Sequence, residues 1–238
     1  ESPFPSAKQD AACVSYDYGT LQSNAPSYRL AYDDFDFIMR DELRPVRLQL
    51  ELLKPELAQI EENIKATVVV FGSARIPDRE TALKNLEHAQ QALLLNPDKQ
   101  EYQHKVTSAG HMLKKCHYYE EARKLSSIIT LSKDHINQGL TVVTGGGPGI
   151  MEAANRGAAD VKGKSIGLNI VLPGEQKPNR FITPELCFQF HYFAIRKMHF
   201  LMRARAICVF PGGFGTLDEL FETLTLIQTG RMERIPFL

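Results

Sequence analysis

The chain has 238 residues, enough for one substantial α/β core plus an extension. Its 28 basic and 28 acidic residues cancel, which leaves no electrostatic footprint for nucleic acid or an anionic membrane surface. No apolar run approaches the ~18 residues of a membrane span, and the first residues lack a signal peptide's basic-then-apolar order. Cys13, Cys116, Cys187 and Cys208 form no C-x-x-C pair. They read as reduced thiols, two of them in expected strands, so a cytoplasmic protein is expected.

Residues 1–27 mix Pro, Ser, Asn and Gly without periodicity and read as a flexible or wrapped-on arm. Apolar residues then fall at Leu43, Val46, Leu50, Leu53, Leu57, Ile60 and Ile64, a narrow helical seam flanked by charges. Pro45 and Pro55 argue against one uninterrupted helix. The seam suits an oligomer contact or a helix pair capping the domain's own sheet, with the capping pair preferred. Residues 1–64 are expected to form an arm and helical extension, and residues 65–238 a separate domain.

Thr67–Phe71 is a β-branched run leading into Gly72-Ser73-Ala74-Arg75, a first strand and turn. Ser73 and Arg75 suit a ribose or base contact there, or an ordinary turn. Thr81–Leu95 and Tyr102–Thr130 read as helical, separated by Asn96-Pro97-Asp98. An inserted helix or hairpin is expected, then the crossover helix near Glu120–His135. The strand Leu140–Thr144 runs into Gly145-Gly146-Gly147-Pro148-Gly149, with Pro148 suited to a first helical turn. Ile150, Ala154, Gly157, Ala158 and Val161 follow at helical spacing. The turn is not G-x-G-x-x-G, and no acidic residue ends the next strand, which favours a mononucleotide over a dinucleotide.

Ser165–Val171 and Leu186–Phe190 are the next strands. Glu175-Gln176, between them, suits a base contact as well as a plain loop. The strand–helix alternation implies an α/β fold, a Rossmann-like doubly wound parallel sheet with right-handed crossovers. Ligands bind beyond the carboxyl ends of such strands. The last strand, near Ala206–Phe210, ends in Pro211-Gly212-Gly213-Phe214-Gly215-Thr216-Leu217-Asp218-Glu219. These glycines expose unpaired N–H groups at a helix start, which suits a phosphate, and Thr216 adds a hydroxyl. Thr216 and Glu219 also have the spacing of a capping box, a purely structural use of the same residues. Arg196 fits a phosphate or a pairing with Glu219, whereas Lys197 beside it suits a solvated side chain as well as a substrate contact. His191 and His199 have no metal-ligand spacing, and no metal or other cofactor is expected.

Gly145-Gly146-Gly147, Arg196-Lys197 and the P-G-G-x-G-T-x-x-E run resemble the LOG ("Lonely guy") family of nucleoside 5′-monophosphate phosphoribohydrolases, many labelled "lysine decarboxylase-like". The resemblance spans roughly Thr67 to Leu238. It implies hydrolysis of the N-glycosidic bond of AMP or a cytokinin riboside monophosphate, giving free base and ribose 5-phosphate. It further implies that Arg196 and Glu219 are catalytic, that Gly213, Phe214, Gly215 and Thr216 bind phosphate, and that Thr225 contacts substrate. Only Pro148 separates the glycine triplet from the next glycine, where short members have two residues. With the extension and the helical insertion, this points to the longer bacterial subgroup.

A molybdenum-cofactor carrier or nucleotide sensor on the same fold would keep the phosphate turn without needing the Arg196/Glu219 pair. A decarboxylase would need a pyridoxal phosphate lysine and a partner for the pyridinium nitrogen, and no such constellation is evident. LOG-like sites generally lie near a subunit interface, so at least a dimer is expected. The apolar residues around Arg196–Arg205 (Met198, Phe200, Leu201, Met202) are the preferred contact over the Leu43–Ile64 seam. Arg234–Leu238 reads as the start of another strand, so the sequence is expected to be part of a longer chain.

Overall fold

The computed structural model describes residues 4–14, 19–132, 139–173 and 177–238. The β-branched run Thr67–Phe71 is buried at every position, as expected of a strand covered on both faces. It forms β1, followed by β2 (Thr141–Thr144), β3 (Ser165–Ile170), β4 (Cys187–Phe190) and β5 (Ala204–Val209). All four pairings are parallel, in the order β4-β3-β2-β1-β5, with Val68 opposite Val142 and Val69 opposite Ile207. The result is a Rossmann-like α/β sheet flanked by helices. Its direction of winding reverses between β1 and β5, and that reversal opens a crevice at their carboxyl ends. Beyond β5, Phe237 pairs in parallel with Ile207.

Two compact units can be distinguished, Glu1–Glu51 and Leu52–Leu238. The first contains α1 (Ala7–Cys13) and α2 (Phe35–Ile38), so the expected irregular arm carries helix. A reciprocal capping box between Ser6 and Gln9 starts α1, and Asp34 caps α2. The next helix, α3 (Arg44–Glu61), is continuous, contrary to the proline-based expectation. Pro45 sits in its first turn, where an N–H is not needed, and Pro55 is accommodated as a buried residue. Seam residues Leu53, Leu57 and Ile60 remain half-exposed.

Between β1 and β2 come α4 (Arg79–Leu95), α5 (Gln100–Lys115) and α6 (His117–Leu131). The insertion is thus a helical hairpin, α4–α5. The expected Tyr102–Thr130 helix is broken at Cys116, which ends one helix and begins the next. The crossover helix is α6, whose expected end at His135 lies outside the described residues. It packs with α7 (Ile150–Asp160) against one face of the sheet, where Tyr119, Ala122, Ile150 and Ala154 meet Val68, Val70 and Val142. On the opposite face Val69, Phe71, Leu168 and Ile207 gather with Phe200 of α8 (Phe193–Leu201). The last helix, α9 (Phe214–Gln228), follows β5. Among the described residues no helix is long and apolar enough to cross a membrane.

One buried polar network holds the first glycine turn to the sheet. Asn155 is fully buried; its Oδ1 accepts from the Thr144 hydroxyl at 2.7 Å and from the Asn179 amide at 2.9 Å. Its own amide donates to the Ser165 hydroxyl at 3.0 Å, and the Thr144 hydroxyl in turn accepts from the Gly146 N–H at 3.0 Å. Asn155→Ala would strand several of these groups away from water. A loss of about 3 kcal/mol in unfolding free energy is expected, measured by urea denaturation. A loss within error of wild type would mean that water replaces the amide freely.

Candidate functional site

The crevice beyond β1 and β5 is a cleft of about 780 Å³, within the size range of small-molecule sites. Ser73 and Arg75 line it from the turn after β1, and Gly145 from the turn after β2. Gly212, Gly213, Phe214, Gly215, Thr216 and Glu219 line it from the turn and helix after β5, and Arg196 from α8. The remaining sequence-derived candidates lie elsewhere. Gly146 has φ +75°, and a Cβ there would run into the Asn169 side chain. The carbonyls of Gly146 and Gly147 accept from the Asn179 amide, at 3.1 and 3.0 Å. The first N–H of α7 is occupied as well, because that of Ile150 donates to the Ser73 carbonyl at 3.0 Å. Pro148 precedes that helix rather than opening it, since Gly149 is the residue at its cap. Only Gly145 of the triplet reaches the cleft.

The cap residue of α9 is Gly213, and, as at Gly149 before α7, no side chain bonds to the first N–H groups. Thr216 is therefore the third helical residue rather than the cap, one turn out of register for the capping box suggested by the sequence. Released from that role, Glu219 points back to α8. Its Oε1 accepts from Arg196 Nη1 at 3.2 Å, both side chains being largely buried. Arg196 is fixed twice more: Nε donates to the Leu168 carbonyl at 2.7 Å, and the guanidinium lies 4.9 Å from the Phe200 ring centre. Phe200 itself meets Phe71 edge-on at 5.1 Å. A Cβ on Gly145 would come within 2.7 Å of Arg196 Nη2, so the turn needs a glycine for the arginine to lie against it.

Burial pushes the Glu219 carboxyl above its ordinary range, against the pull of Arg196. Burial also lowers Arg196, with Glu219 opposing; an arginine nevertheless stays charged. Lys197 lies outside the cleft, paired with Asp218 at 2.9 Å and Glu222 at 2.8 Å. Burial pulls its ammonium down, but those two carboxylates outweigh it and leave it raised. Thr225 is exposed and donates back to the Phe221 carbonyl at 2.7 Å. Glu175 and Gln176 lie outside the described residues.

The apolar residues beside Arg196 serve the chain's own core to a larger extent than the sequence suggests. Phe200 is 1% exposed, whereas Met198 and Met202 remain 47% exposed. A broader apolar stripe runs along α9 through Phe214, Leu217, Phe221 and Leu224, all exposed. Met112 and Lys115 of the inserted hairpin, Asn169 of β3 and Phe193 of α8 also line the cleft. Sequence reasoning missed these, because none belongs to a turn or a spaced motif.

Residues 151–238 match a family model described as "Possible lysine decarboxylase". No curated protein matches the chain. Among solved structures, the structural-genomics target TM1055 is similar at 18% identity and a TM-score of 0.39, covering 68% of this chain and 69% of its own. The Moco carrier protein from Chlamydomonas reinhardtii is similar at 16% identity and a TM-score of 0.39, over 73% and 76% of the two chains. The molybdenum cofactor binding protein from the phototrophic bacterium Rippkaea orientalis has 16% identity and a TM-score of 0.37, over 72% and 88%. Arg196, Glu219 and the whole P-G-G-F-G-T-L-D-E run fall inside the matched residues.

Proposed function

We propose that the protein hydrolyses the N-glycosidic bond of a purine nucleoside 5′-monophosphate, AMP or a cytokinin riboside monophosphate, to free base and ribose 5-phosphate. The observation that carries this reading is the buried Arg196–Glu219 pair in the same cleft as an uncapped helix start. The N–H groups at the start of α9, with Thr216, hold the 5′-phosphate. That remote binding fixes C1′ against Glu219. As the C1′–N bond breaks, the carboxylate stabilises the oxocarbenium-like charge and orients the attacking water. The water adds to C1′ and a proton passes to the departing base; Arg196 holds Glu219 and substrate in register. Incubation with a panel of nucleoside monophosphates, followed by chromatography for free base, tests this directly. Binding without base release from any of them would support a carrier or sensor instead.

Lys197 itself is not placed to be the Schiff-base lysine of a decarboxylase: it lies outside the cleft and is tied to two carboxylates.

The reaction needs Glu219 ionised, and burial raises its pKa. Turnover should therefore fall on the acid side at a pH above the ~4.3 of an ordinary glutamate. Stability runs the other way. The folded state binds this proton more tightly, so the contribution is full below the unfolded value and is lost as pH rises through the folded one. An acid limb of kcat at or below the ordinary value would contradict the assignment.

Assembly to at least a dimer belongs to the same reading. The α9 stripe starts at the cleft and is a better contact than the Met198–Met202 surface. Phe221→Asp is expected to give a monomer by sedimentation with an unchanged melting temperature. A variant that keeps the wild-type mass would exclude α9 as the interface.

A further inference from the structure

A second cavity, of about 700 Å³, shares no residue with the cleft. It lies beside the first glycine turn: Pro148 lines it, with Asp78, Glu152, Arg156, Asn179 and Arg180. Its three carboxylates are engaged. Asp78 accepts from the Thr81 N–H at 3.0 Å and its hydroxyl at 2.7 Å, Glu80 pairs with Lys84 at 2.6 Å, and Glu152 accepts from the Tyr119 hydroxyl at 2.9 Å. Its two arginines are not neutralised in this way. The guanidinium of Arg156 lies 5.4 Å, and that of Arg180 5.0 Å, from the centre of the same Phe181 ring. Neither forms an ion pair with a carboxylate among the described residues. Two guanidinium groups lining one cavity give it positive charge that an anion offsets.

We propose that Arg156 and Arg180 form a binding site for a phosphorylated small molecule, separate from the catalytic cleft and coupled to it. Guanidinium forks match phosphoryl oxygens two at a time, and both lie against the Phe181 ring. The coupling route is Asn179, the residue before Arg180. Its backbone N–H donates to the Gly146 carbonyl at 2.9 Å, and its side-chain amide to the Gly146 and Gly147 carbonyls at 3.1 and 3.0 Å. An anion that draws Arg180 toward Arg156 pulls on this latch. The latch holds the turn whose first glycine lies against Arg196.

Calorimetric titration of the intact chain with inorganic pyrophosphate, and in parallel with ATP, tests the site. The double variant R156Q/R180Q is expected to weaken pyrophosphate by about tenfold or more, whereas Arg75→Gln in the cleft leaves it within about twofold. ATP binding more tightly than pyrophosphate, and equally sensitive to the double variant, identifies a nucleotide's phosphate tail. Equal affinities identify the phosphate chain alone. No pyrophosphate binding by wild type, or weakening by Arg75→Gln alone, overturns the site. Coupling is read as a shift of about fivefold or more in AMP affinity when pyrophosphate is present, absent in R156Q/R180Q; an unchanged AMP affinity in wild type overturns it. The pyrophosphate titration makes no use of AMP, so it stands or falls apart from the proposed reaction.

Discussion

Glu219→Gln is expected to lower kcat for base release by about 10³-fold, with AMP affinity within about threefold of wild type. Glutamine keeps the size of the side chain and an oxygen that can accept from Arg196 Nη1, so the 3.2 Å contact has a neutral substitute. What disappears is the negative charge that the proposed reaction sets against C1′, which counts most where water is excluded. The uncapped start of α9 is untouched, since Glu219 makes no bond to it. Phosphate binding should therefore survive. Turnover equal to wild type would remove Glu219 from the chemistry. A loss of AMP binding in step with kcat would instead make Glu219 a binding residue.

Adenosine is expected to be a poorer substrate than AMP by about 10³-fold or more in kcat/KM. The phosphate is remote from the bond that breaks, so its value lies in positioning. In the proposed reading the N–H groups at the start of α9 face it, and charge-assisted bonds of this kind are about twice as strong as neutral ones. Without the phosphate, ribose has only Ser73, Arg75 and the cleft walls to fix it. Measuring free adenine from both compounds under identical conditions decides the matter. Comparable kcat/KM values would mean that the glycine turn at Gly212–Gly215 serves packing. Gly212 already has such a use, because its missing Cβ makes room for the Thr216 side chain.

Local sequence determined the strands and one of the two glycine turns with little ambiguity. Thr67–Phe71 is β1 to the residue, because a β-branched run buried on both faces has no amphipathic alternative. The P-G-G-F-G-T-L-D-E run follows β5 and opens α9 as a strand–turn–helix, with Gly212 leaving room for the Thr216 side chain. Local rules failed where a distant contact outweighed them. Pro55 costs α3 one hydrogen bond, yet the helix continues and buries that turn. The Thr216/Glu219 spacing fits a capping box, but α9 begins two residues before Thr216 and Glu219 pairs across the cleft with Arg196. The two glycine turns look alike in sequence. The fold treats them differently: Asn179 occupies the Gly146 and Gly147 carbonyls of the first and the Ser73 carbonyl takes the Ile150 N–H, whereas the second lines the cleft through Gly212, Gly213 and Gly215. Met112 and Lys115 reach the cleft from an inserted hairpin, and the Arg156–Phe181–Arg180 cluster joins residues from α7 and a later loop. Such meetings depend on how helices pack onto the sheet. Periodicity within one segment carries no record of what a different segment brings to the same place.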